Sequence, residues 1–471
     1  MKPDFRDYQD TAYDFCLRRL YVEGQLGAGL FLDPGLGKTL VTLALLEFLR
    51  AMGEIDSALI VAPLRVCRLV WAQEIRKWDY DFTVNLLCNK VAPVLSRRLG
   101  RKIPGPGLRE PRSFIELVNP ESLHHLVEHC DRWDMIAVDE STKFKTWTSR
   151  SPRNRMKMLR KMLPNFKKRL ILTGTPAPNS LADLHSQIFI LDNGAALGRN
   201  VTVFRSLYMR QGGWQGRQWM LKDNQEDKIL QQIASMCLRL DAETCLDMPE
   251  LVTNDIECEL PAQCVAQYKK LQRDLLAQLD TGTILIQNAA SAYTKMRQFA
   301  NGQMYDEDRV VHPIHKAKLE AWSDLVDELG GKPLLTFYQF QHDLDALRTK
   351  YPKAPVMNGQ SKKTDEKTID DWNAGKIRVL LAQNQAISHG LNMQGCGTDM
   401  VYYGLHDSLE VYEQSYRRIY RQGVKGHQVR IHRLLTRGTV DTTIRDRLES
   451  KDQTQQAFLN ALKKHAREGL L

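Results

Sequence analysis

Leu32-Asp33-Pro34-Gly35-Leu36-Gly37-Lys38-Thr39 is the stretch from which the fold of this chain can be predicted. The apolar, glycine-led residues 28–32 before it predict a strand, and the leucine- and alanine-rich residues 40–49 after it predict a helix. At such a junction, unpaired backbone N–H groups and the positive end of the helix dipole face one point, which favours phosphate. Glycines at 35 and 37 let the backbone close around phosphates without Cβ clashes.

The side chains of this loop predict a nucleotide and a magnesium ion. Lys38 would reach the β- and γ-phosphates, and the Thr39 hydroxyl would ligate Mg²⁺, while Gly35, Leu36 and Gly37 would surround the phosphates. Leu32 stands where the full P-loop pattern has glycine. A strand-to-helix turn that binds nothing is therefore the alternative.

Composition limits the classes of protein to consider. A length of 471 residues suggests two or three domains, and 43% hydrophobic with 26% charged residues is typical of soluble globular proteins. We see no signal peptide and no membrane-spanning segment, so we expect no membrane partner.

Nine scattered cysteines without Cys-x-x-Cys pairs indicate free thiols in a reducing compartment. We interpret the group His124, His125, His129 and Cys130 as a helix surface rather than a zinc site. The net charge of +10 suits a polyanionic partner, although a solvated basic surface explains the charge more simply.

An acidic pair is the second signal for nucleotide chemistry. Asp139 and Glu140 end the strand predicted at 135–138, where an aspartate can hold Mg²⁺ and a glutamate can orient or deprotonate water. Such pairs also occur in ordinary loops. A further strand at 169–172 ends in Thr173-Gly174-Thr175-Pro176, which could equally be a tight turn. The alternation of strands and helices predicts a parallel sheet with its sites at the carboxyl ends of the strands.

The segment 194–222 interleaves aromatic residues with cations, among them Arg205 and Trp214. This pattern suits stacking and backbone contact with nucleic acid, or equally a small helical insertion with an aromatic core. Helices at 260–300 and strands near 333–338, 356–357, 377–381, 400–403 and 429–432 then predict a second α/β lobe. Near its end, residues 414–423 predict a helix with Arg418 and Arg421 on one face. Arginines from a second lobe suit an anionic phosphoryl-transfer transition state, and a solvated basic helix is the alternative.

Together these motifs resemble the superfamily-two helicase-like ATPases of the Swi/Snf type, most of all the compact versions carried by phages and prophages. The resemblance implies two RecA-like lobes, each a mostly parallel sheet flanked by helices, with small helical insertions. We expect lobe 1 at 1–252, with an insertion at about 193–245, and lobe 2 at 253–471, with a helical segment at about 260–305.

The resemblance also assigns residues to roles. It implies that Arg6 and Gln9 read the adenine, that Gly390, Asn392 and Gln414 complete the nucleotide site, and that Arg418 and Arg421 are arginine fingers. The residues expected to contact DNA are Pro63, Lys143, Lys145, Thr173, Gly174, Ser388, His389, Arg205 and Trp214. One departure is that Asp139-Glu140-Ser141-Thr142 replaces the family's usual Asp-Glu-Ala/Gly-His.

The function implied is that of a DNA-dependent ATPase using ATP and Mg²⁺, which moves along or remodels duplex DNA in phage DNA metabolism. We expect it in the cytoplasm, that of the bacterial host if a phage encodes it, with a separate nuclease or a replication or recombination protein as a further partner. The alternatives are a helicase that separates or anneals strands and, from another class, a non-catalytic nucleic-acid-binding scaffold for a separate nuclease. A metabolite kinase would explain the phosphate loop but neither the paired lobes nor the basic charge.

Overall fold

The computed structural model describes residues 4–87, 114–145, 154–212, 218–280, 286–359, 362–384 and 392–468. The chain divides into two compact units, one formed by Met1–Leu246 with Gln453–Leu471 and the other by Asp247–Asp452. Among the described helices, none is long and apolar enough to cross a membrane. The eight cysteines within those ranges are free thiols.

The first unit is built on seven parallel strands in the order β3-β4-β2-β5-β6-β1-β9, with a separate antiparallel pair, β7 and β8. The strands are β1 (Gly27–Leu32), β2 (Ala58–Val61), β3 (Val84–Leu87), β4 (Ile115–Val118), β5 (Met135–Asp139), β6 (Lys168–Thr173), β7 (Met209–Gly212), β8 (Gln218–Leu221) and β9 (Cys237–Leu240). The helices are α1 (Asp7–Leu17), α2 (Lys38–Ala51), α3 (Ala72–Lys77), α4 (Arg155–Met162), α5 (Ala182–Asp192), α6 (Val201–Tyr208), α7 (Gln225–Ile233) and α8 (Ala242–Cys245). Short 3-10 or π turns cover Arg18–Val22, Val66–Trp71, Pro120–His125, Val127–Arg132, Ser141–Phe144 and Leu163–Asn165.

Both faces of this sheet are covered, so its central strands β1 and β5 are buried at every position and mostly apolar. Successive side chains of a strand point to opposite faces. Leu30 accordingly lies in one core with Leu43 of α2, and Phe31 lies in the other core with Ile188 of α5.

The second unit contains six parallel strands in the order β10-β17-β16-β13-β15-β14, and the antiparallel pair β11 and β12. The strands are β10 (Glu250–Cys258), β11 (Gln303–Tyr305), β12 (Val311–Pro313), β13 (Leu334–Tyr338), β14 (Val356–Met357), β15 (Val379–Gln383), β16 (Asp399–Tyr402) and β17 (Gln428–Thr436). The helices are α9 (Ala262–Asp280), α10 (Ile286–Asn301), α11 (Ala317–Glu328), α12 (Gln341–Lys350), α13 (Lys362–Asn373), α14 (Leu409–Tyr416) and α15 (Val440–Glu468), of which residues 440–452 belong to this unit. The two parallel sheets confirm the predicted fold class, and the predicted lobe boundary at residues 252 and 253 falls inside β10.

The segment 193–245 differs from the helical insertion that the sequence predicts. Helices α6 and α7 are separated by the β7–β8 pair, and β9 joins the main sheet beside β1. Phe204 and Tyr208 are core residues, as the insertion hypothesis expects.

The helix predicted over residues 414–423 is wrong beyond its first turn. Helix α14 ends at Tyr416, and Arg418 and Arg421 lie in the turns that follow. The backbone N–H of Arg418 donates to the Ser415 carbonyl, three residues earlier. The Arg418 Nε donates to the carbonyl of Gln414, which lies in the last turn of the helix. The tighter turn buries Ile419 in the core of the second unit.

A buried ion-pair group joins β9 to the loop after β1. The Arg239 guanidinium lies 2.9 Å from Asp33 and 2.7 Å from Asp241, and it also donates to the Phe31 carbonyl. Asp33 accepts in addition from the backbone N–H of Ala242, at 3.1 Å. The ion pair between Arg239 and Asp33 therefore connects β9 to the phosphate loop.

Replacing Arg239 with methionine should destabilise the first unit strongly. The change leaves Asp33 buried without its cation, which is expected to lower the free energy of unfolding by about 3–5 kcal/mol in urea titrations. The matched control is Arg210→Met, which removes an exposed ion pair with Asp223. It should lower the free energy of unfolding by less than about 1 kcal/mol. Similar losses in both variants would contradict the role of the buried group.

In the second unit, Asp399 is fully buried at the start of β16. Burial alone would raise the pKa of this carboxyl, but hydrogen bonds from His432, Arg430 and Thr398 hold the pKa well below its usual range. A carboxyl with a depressed pKa stabilises the fold above its unfolded pKa and loses that contribution as the pH falls.

Asp399 should therefore make the second unit sensitive to acid. We expect the free energy of unfolding of the wild type to fall between about pH 5 and about pH 2 more steeply than that of Asp399→Asn, because only the wild type must protonate this carboxyl. The measurement is urea unfolding across this pH range. Parallel pH profiles of the two proteins would refute the assignment.

Candidate functional site

Three loops meet at one edge of the first sheet because their strands are neighbours. Leu172 of β6 pairs with Leu30 of β1 on one side and with Asp139 of β5 on the other. Parallel strands present their carboxyl ends at the same edge of a sheet. The phosphate loop, the Thr173–Pro176 loop and the acidic pair therefore start at almost the same level.

The phosphate loop has the backbone that its glycines predict. Gly35 and Gly37 have φ of 95° and 77°, the left-handed region in which a side chain is strained. Helix α2 begins at Lys38, with Gly37 as an N-cap that offers no side chain to the first-turn N–H groups. Lys38 Nζ donates to the carbonyls of Leu32 at 2.7 Å and Asp33 at 3.3 Å. The loop presents backbone donors and one ammonium group, the combination that suits phosphate.

Gln9 lies directly against this loop. Its Oε1 accepts from the backbone N–H of Arg6 at 3.1 Å, in the first turn of α1. A Cβ built at Gly37 would clash with Gln9 Nε2. The structure thus brings Gln9 and the phosphate loop together, while the Arg6 side chain is exposed at the start of the helix.

Asp139 ends β5 and is 8% exposed. Burial raises the pKa of its carboxyl, against the opposing effects of Lys38 and of a hydrogen bond from Trp71 Nε1 at 3.2 Å. Trp71 is fully buried, and no role was assigned to it from the sequence. The available signal was chemical, since a buried indole N–H needs an acceptor.

Glu140 has φ 56° and ψ 57°, an unusual conformation for a residue other than glycine. It caps the 3-10 turn Ser141–Phe144, which carries Lys143 and is followed by Lys145. Both lysines are partly exposed. The chain therefore turns sharply just after the acidic pair.

The Thr173–Pro176 loop packs against the phosphate loop. A Cβ at Gly174 would lie 3.1 Å from Pro34 Cδ and 3.3 Å from the Leu32 carbonyl. The buried Thr173 hydroxyl accepts from the backbone N–H of Thr175 at 3.1 Å. A displacement of the Thr173–Pro176 loop would therefore also displace the phosphate loop.

The predicted DNA contacts are only partly brought together. Pro63 and Lys143 follow β2 and β5, and Thr173 is the last residue of β6, so the three lie at the same edge of three adjacent strands. Arg205 of α6 lies elsewhere along the chain and stacks over the Trp219 ring, with 4.9 Å to the centroid. The predicted site residues Trp214, Ser388, His389 and Gly390 lie outside the described residues.

Within the second unit, four predicted residues lie close together. Gln414 is buried in α14, and its carbonyl accepts from Arg418 Nε at 2.9 Å. Arg421 donates to the Asn392 side-chain oxygen and, at 2.7 Å, to the Arg417 carbonyl. Burial, with a smaller effect of Arg417, lowers the pKa of Arg421 to about 10, so its guanidinium remains charged near neutrality.

No group of three or more His, Cys, Asp or Glu side chains among the described residues could hold a metal ion by itself. Thr39 and Asp139 nevertheless offer the oxygen donors that Mg²⁺ prefers, and this ion is commonly held by one or two carboxylates together with substrate phosphates. The donor set therefore fits a magnesium ion that arrives with a nucleotide.

Comparison with known proteins agrees with this geometry. The SNF2-related domain matches residues 8–313, and the helicase conserved C-terminal domain matches residues 317–423. Protein p41 of Acyrthosiphon pisum secondary endosymbiont phage 1 is 34% identical over 91% of this chain and 94% of its own length. The DNA annealing helicase and endonuclease ZRANB3 of Bos taurus is 24% identical over 93% of this chain, which spans 39% of that relative.

Among solved structures, the Sulfolobus solfataricus SWI2/SNF2 ATPase core in complex with dsDNA aligns over 98% of this chain and 94% of its own, with 20% identity and a TM-score of 0.43. The first family model alone covers more than half of the sequence, and the phage relative is similar over nearly all of it. The predicted resemblance is confirmed: the chain belongs to the SNF2-related family of helicase-like ATPases.

Proposed function

We propose that this protein hydrolyses ATP in response to DNA and uses the energy to move along duplex DNA. The observation that carries the proposal is the meeting of the phosphate loop, the acidic pair and the Thr173–Pro176 loop at one edge of the first sheet. In a member of the SNF2-related family, this is the edge at which nucleotide chemistry is expected.

In this proposal Gly35, Leu36, Gly37 and Lys38 hold the phosphates, and Gln9 with Arg6 reads the adenine. The Gln9 amide can donate and accept at once, and its position against Gly37 supports this role. Gly390, Asn392 and Gln414 are the nucleotide contacts proposed for the second unit.

Thr39 and Asp139 would hold Mg²⁺, which supplies positive charge to the phosphate oxygens when bound. Trp71 keeps one Asp139 oxygen hydrogen-bonded, which orients the carboxylate. A cation would offset the burial that disfavours the charged form of Asp139.

Glu140 is proposed to orient or deprotonate the attacking water. Support comes from its place beside Asp139 and from its left-handed backbone, a kind of strain that concentrates at functional sites. The neighbouring Thr173–Pro176 loop is proposed to relay the state of the nucleotide to DNA through its contact with Pro34.

Arg418 and Arg421 are proposed to stabilise the charge of the transferring phosphoryl group. The contacts of Arg421 are with neutral groups, a backbone carbonyl and the Asn392 amide, so its positive charge can be offered to a phosphate. The guanidinium is also partly desolvated, which strengthens its electrostatic effect.

Duplex DNA is proposed as the partner on three grounds. The net charge of +10 favours a polyanion, the Arg205–Trp219 pair offers a cation with an aromatic face, and a bovine relative is named for its action on DNA. Pro63, Lys143, Lys145, Thr173, Gly174, Ser388 and His389 are the proposed contacts, together with Arg205 and Trp214. The phage relative supports a phage context. We propose a place in phage DNA metabolism, in the cytoplasm of the bacterial host, with a separate nuclease or a replication or recombination protein as a further partner.

The central experiment compares ATP hydrolysis without DNA and with single strands, duplex and forked DNA. We expect duplex DNA to stimulate hydrolysis most. Stimulation by single strands but not by duplex would favour a strand-separating helicase instead. Absence of hydrolysis under every DNA condition would favour a nucleic-acid-binding scaffold.

Changing Arg421 to alanine should abolish turnover but leave ATP binding largely intact. An arginine that acts on the transferring phosphoryl group is worth about three to five powers of ten in rate, so kcat should fall by about a thousandfold or more. Steady-state hydrolysis and binding of a fluorescent ATP analogue test this. The control is Arg437→Ala, which removes an exposed arginine of the same unit that pairs with Glu259. Wild-type turnover in Arg421→Ala would refute the assignment.

Binding to DNA should depend steeply on salt, because each neutralised phosphate releases counterions. If several phosphates are contacted, we expect the affinity to fall about a thousandfold between about 50 and about 200 mM salt. Fluorescence anisotropy with a labelled duplex measures the slope. An affinity that is independent of salt would exclude binding dominated by phosphate contacts.

A further inference from the structure

A fully buried hydrogen bond begins at the residue directly after the acidic pair. The Ser141 hydroxyl donates to the Oε1 of Gln187 at 2.7 Å, and both side chains are completely buried. Gln187 belongs to α5 and lies outside every motif considered in the sequence. Ser141 is also one of the two residues by which this acidic motif departs from the family pattern.

The other end of the same amide holds the Thr173–Pro176 loop. Gln187 Nε2 donates to the Pro176 carbonyl at 2.6 Å and to the Asp183 carbonyl at 2.9 Å. Because two carbonyls face Nε2, the amide has only one satisfactory orientation, with its oxygen toward Ser141. One side chain therefore connects the loop after β5 with the loop after β6.

The neighbouring residue strengthens this connection. Ser186 Oγ donates to the Lys145 carbonyl at 3.1 Å, just beyond the 3-10 turn that Ser141 begins. Helix α5 thus holds both ends of that turn. The left-handed backbone of Glu140 is costly for a side-chain-bearing residue and persists only where the surroundings enforce it.

We infer that Gln187 is a positioning residue for ATP hydrolysis, which acts by linking Glu140 to the Thr173–Pro176 loop through Ser141 and Pro176. The inference rests on the proposed ATPase function. Gly174 of that loop packs against Pro34, so the hydrogen-bonded chain continues by contact into the phosphate loop. A shift in any one of the three loops is passed to the others through buried contacts, and the serine in the acidic motif supplies the donor that this link requires.

The test uses the full chain with Ser141→Ala, Gln187→Leu and the double variant. Each single change breaks the link, so we expect kcat for DNA-stimulated hydrolysis to fall about threefold to tenfold, the size of one positioning hydrogen bond. The KM for ATP and the affinity for a fluorescent ATP analogue should stay within about twofold, because no group that touches nucleotide is removed. The double variant should be no slower than the slower single variant, since both residues act in one link.

The matched control is Ser57→Ala. Ser57 is 1% exposed, and its hydroxyl donates to the Arg132 carbonyl at the same 2.7 Å, but it precedes β2 at the opposite edge of the sheet. Ser57→Ala should lower the free energy of unfolding by about as much as Ser141→Ala does, but it should leave kcat unchanged. If Gln187→Leu fails to fold, the comparison of kcat between Ser141→Ala and Ser57→Ala tests the inference.

Three results would overturn the inference. One is a kcat for Ser141→Ala equal to that of the wild type, and another is an equal loss of kcat in Ser57→Ala. The third is a double variant whose loss is the product of the single losses, which would mean that the residues act separately. Absence of hydrolysis by the wild type would be a different result, because it removes the proposed function itself and the inference with it.

Discussion

The parallel pairing of β1, β6 and β5 is the constraint on which the rest of the first unit depends. Its register places Leu30, Leu172 and Asp139 side by side, so that the loops that follow begin at one edge. Antiparallel pairing would send alternate loops to opposite edges and separate the lysine from the acidic pair. The chemistry proposed for this protein is therefore a consequence of strand direction before it is a consequence of any side chain.

Buried polar side chains then determine the position of each loop. Arg239 holds Asp33 at the start of the phosphate loop, Trp71 holds Asp139, and Gln187 holds the turn after Glu140. Such groups are costly to bury unless their partners are in place, so each is satisfied in only one arrangement of the backbone. Apolar packing alone could not provide this directional control, because hydrophobic contact has no preferred orientation.

The second unit uses a comparable arrangement for its arginines. Helix α14 ends before them, and backbone carbonyls of its last turn and of the following residue accept from Arg418 and Arg421. For Arg421, contacts with the Arg417 carbonyl and the Asn392 amide orient the guanidinium without neutralising its charge. A partly buried cation oriented in this way is suited to a phosphate that bears developing charge.

Much of this protein could be predicted from its sequence, since the strongest signals are local. Glycines at 35 and 37, the apolar strand before them and the helix after them indicate the phosphate loop, and the alternation of strands and helices indicates two parallel sheets. Strand β9 was missed because it is short and interrupted by a charged residue, whose partner Asp33 lies far away in the sequence. The end of α14 at Tyr416 was missed because helical spacing does not reveal that Ile419 is needed in the core.

The links through Trp71 and Gln187 were decided by tertiary structure alone. Each joins residues dozens of positions apart, and neither a tryptophan nor a glutamine inside a helical pattern specifies its hydrogen-bond partner. The sequence by itself thus determined which chemistry is present and in which order the motifs occur. Only the folded sheet decided which of these groups hold one another, because burial makes each polar atom find a partner in space rather than along the chain.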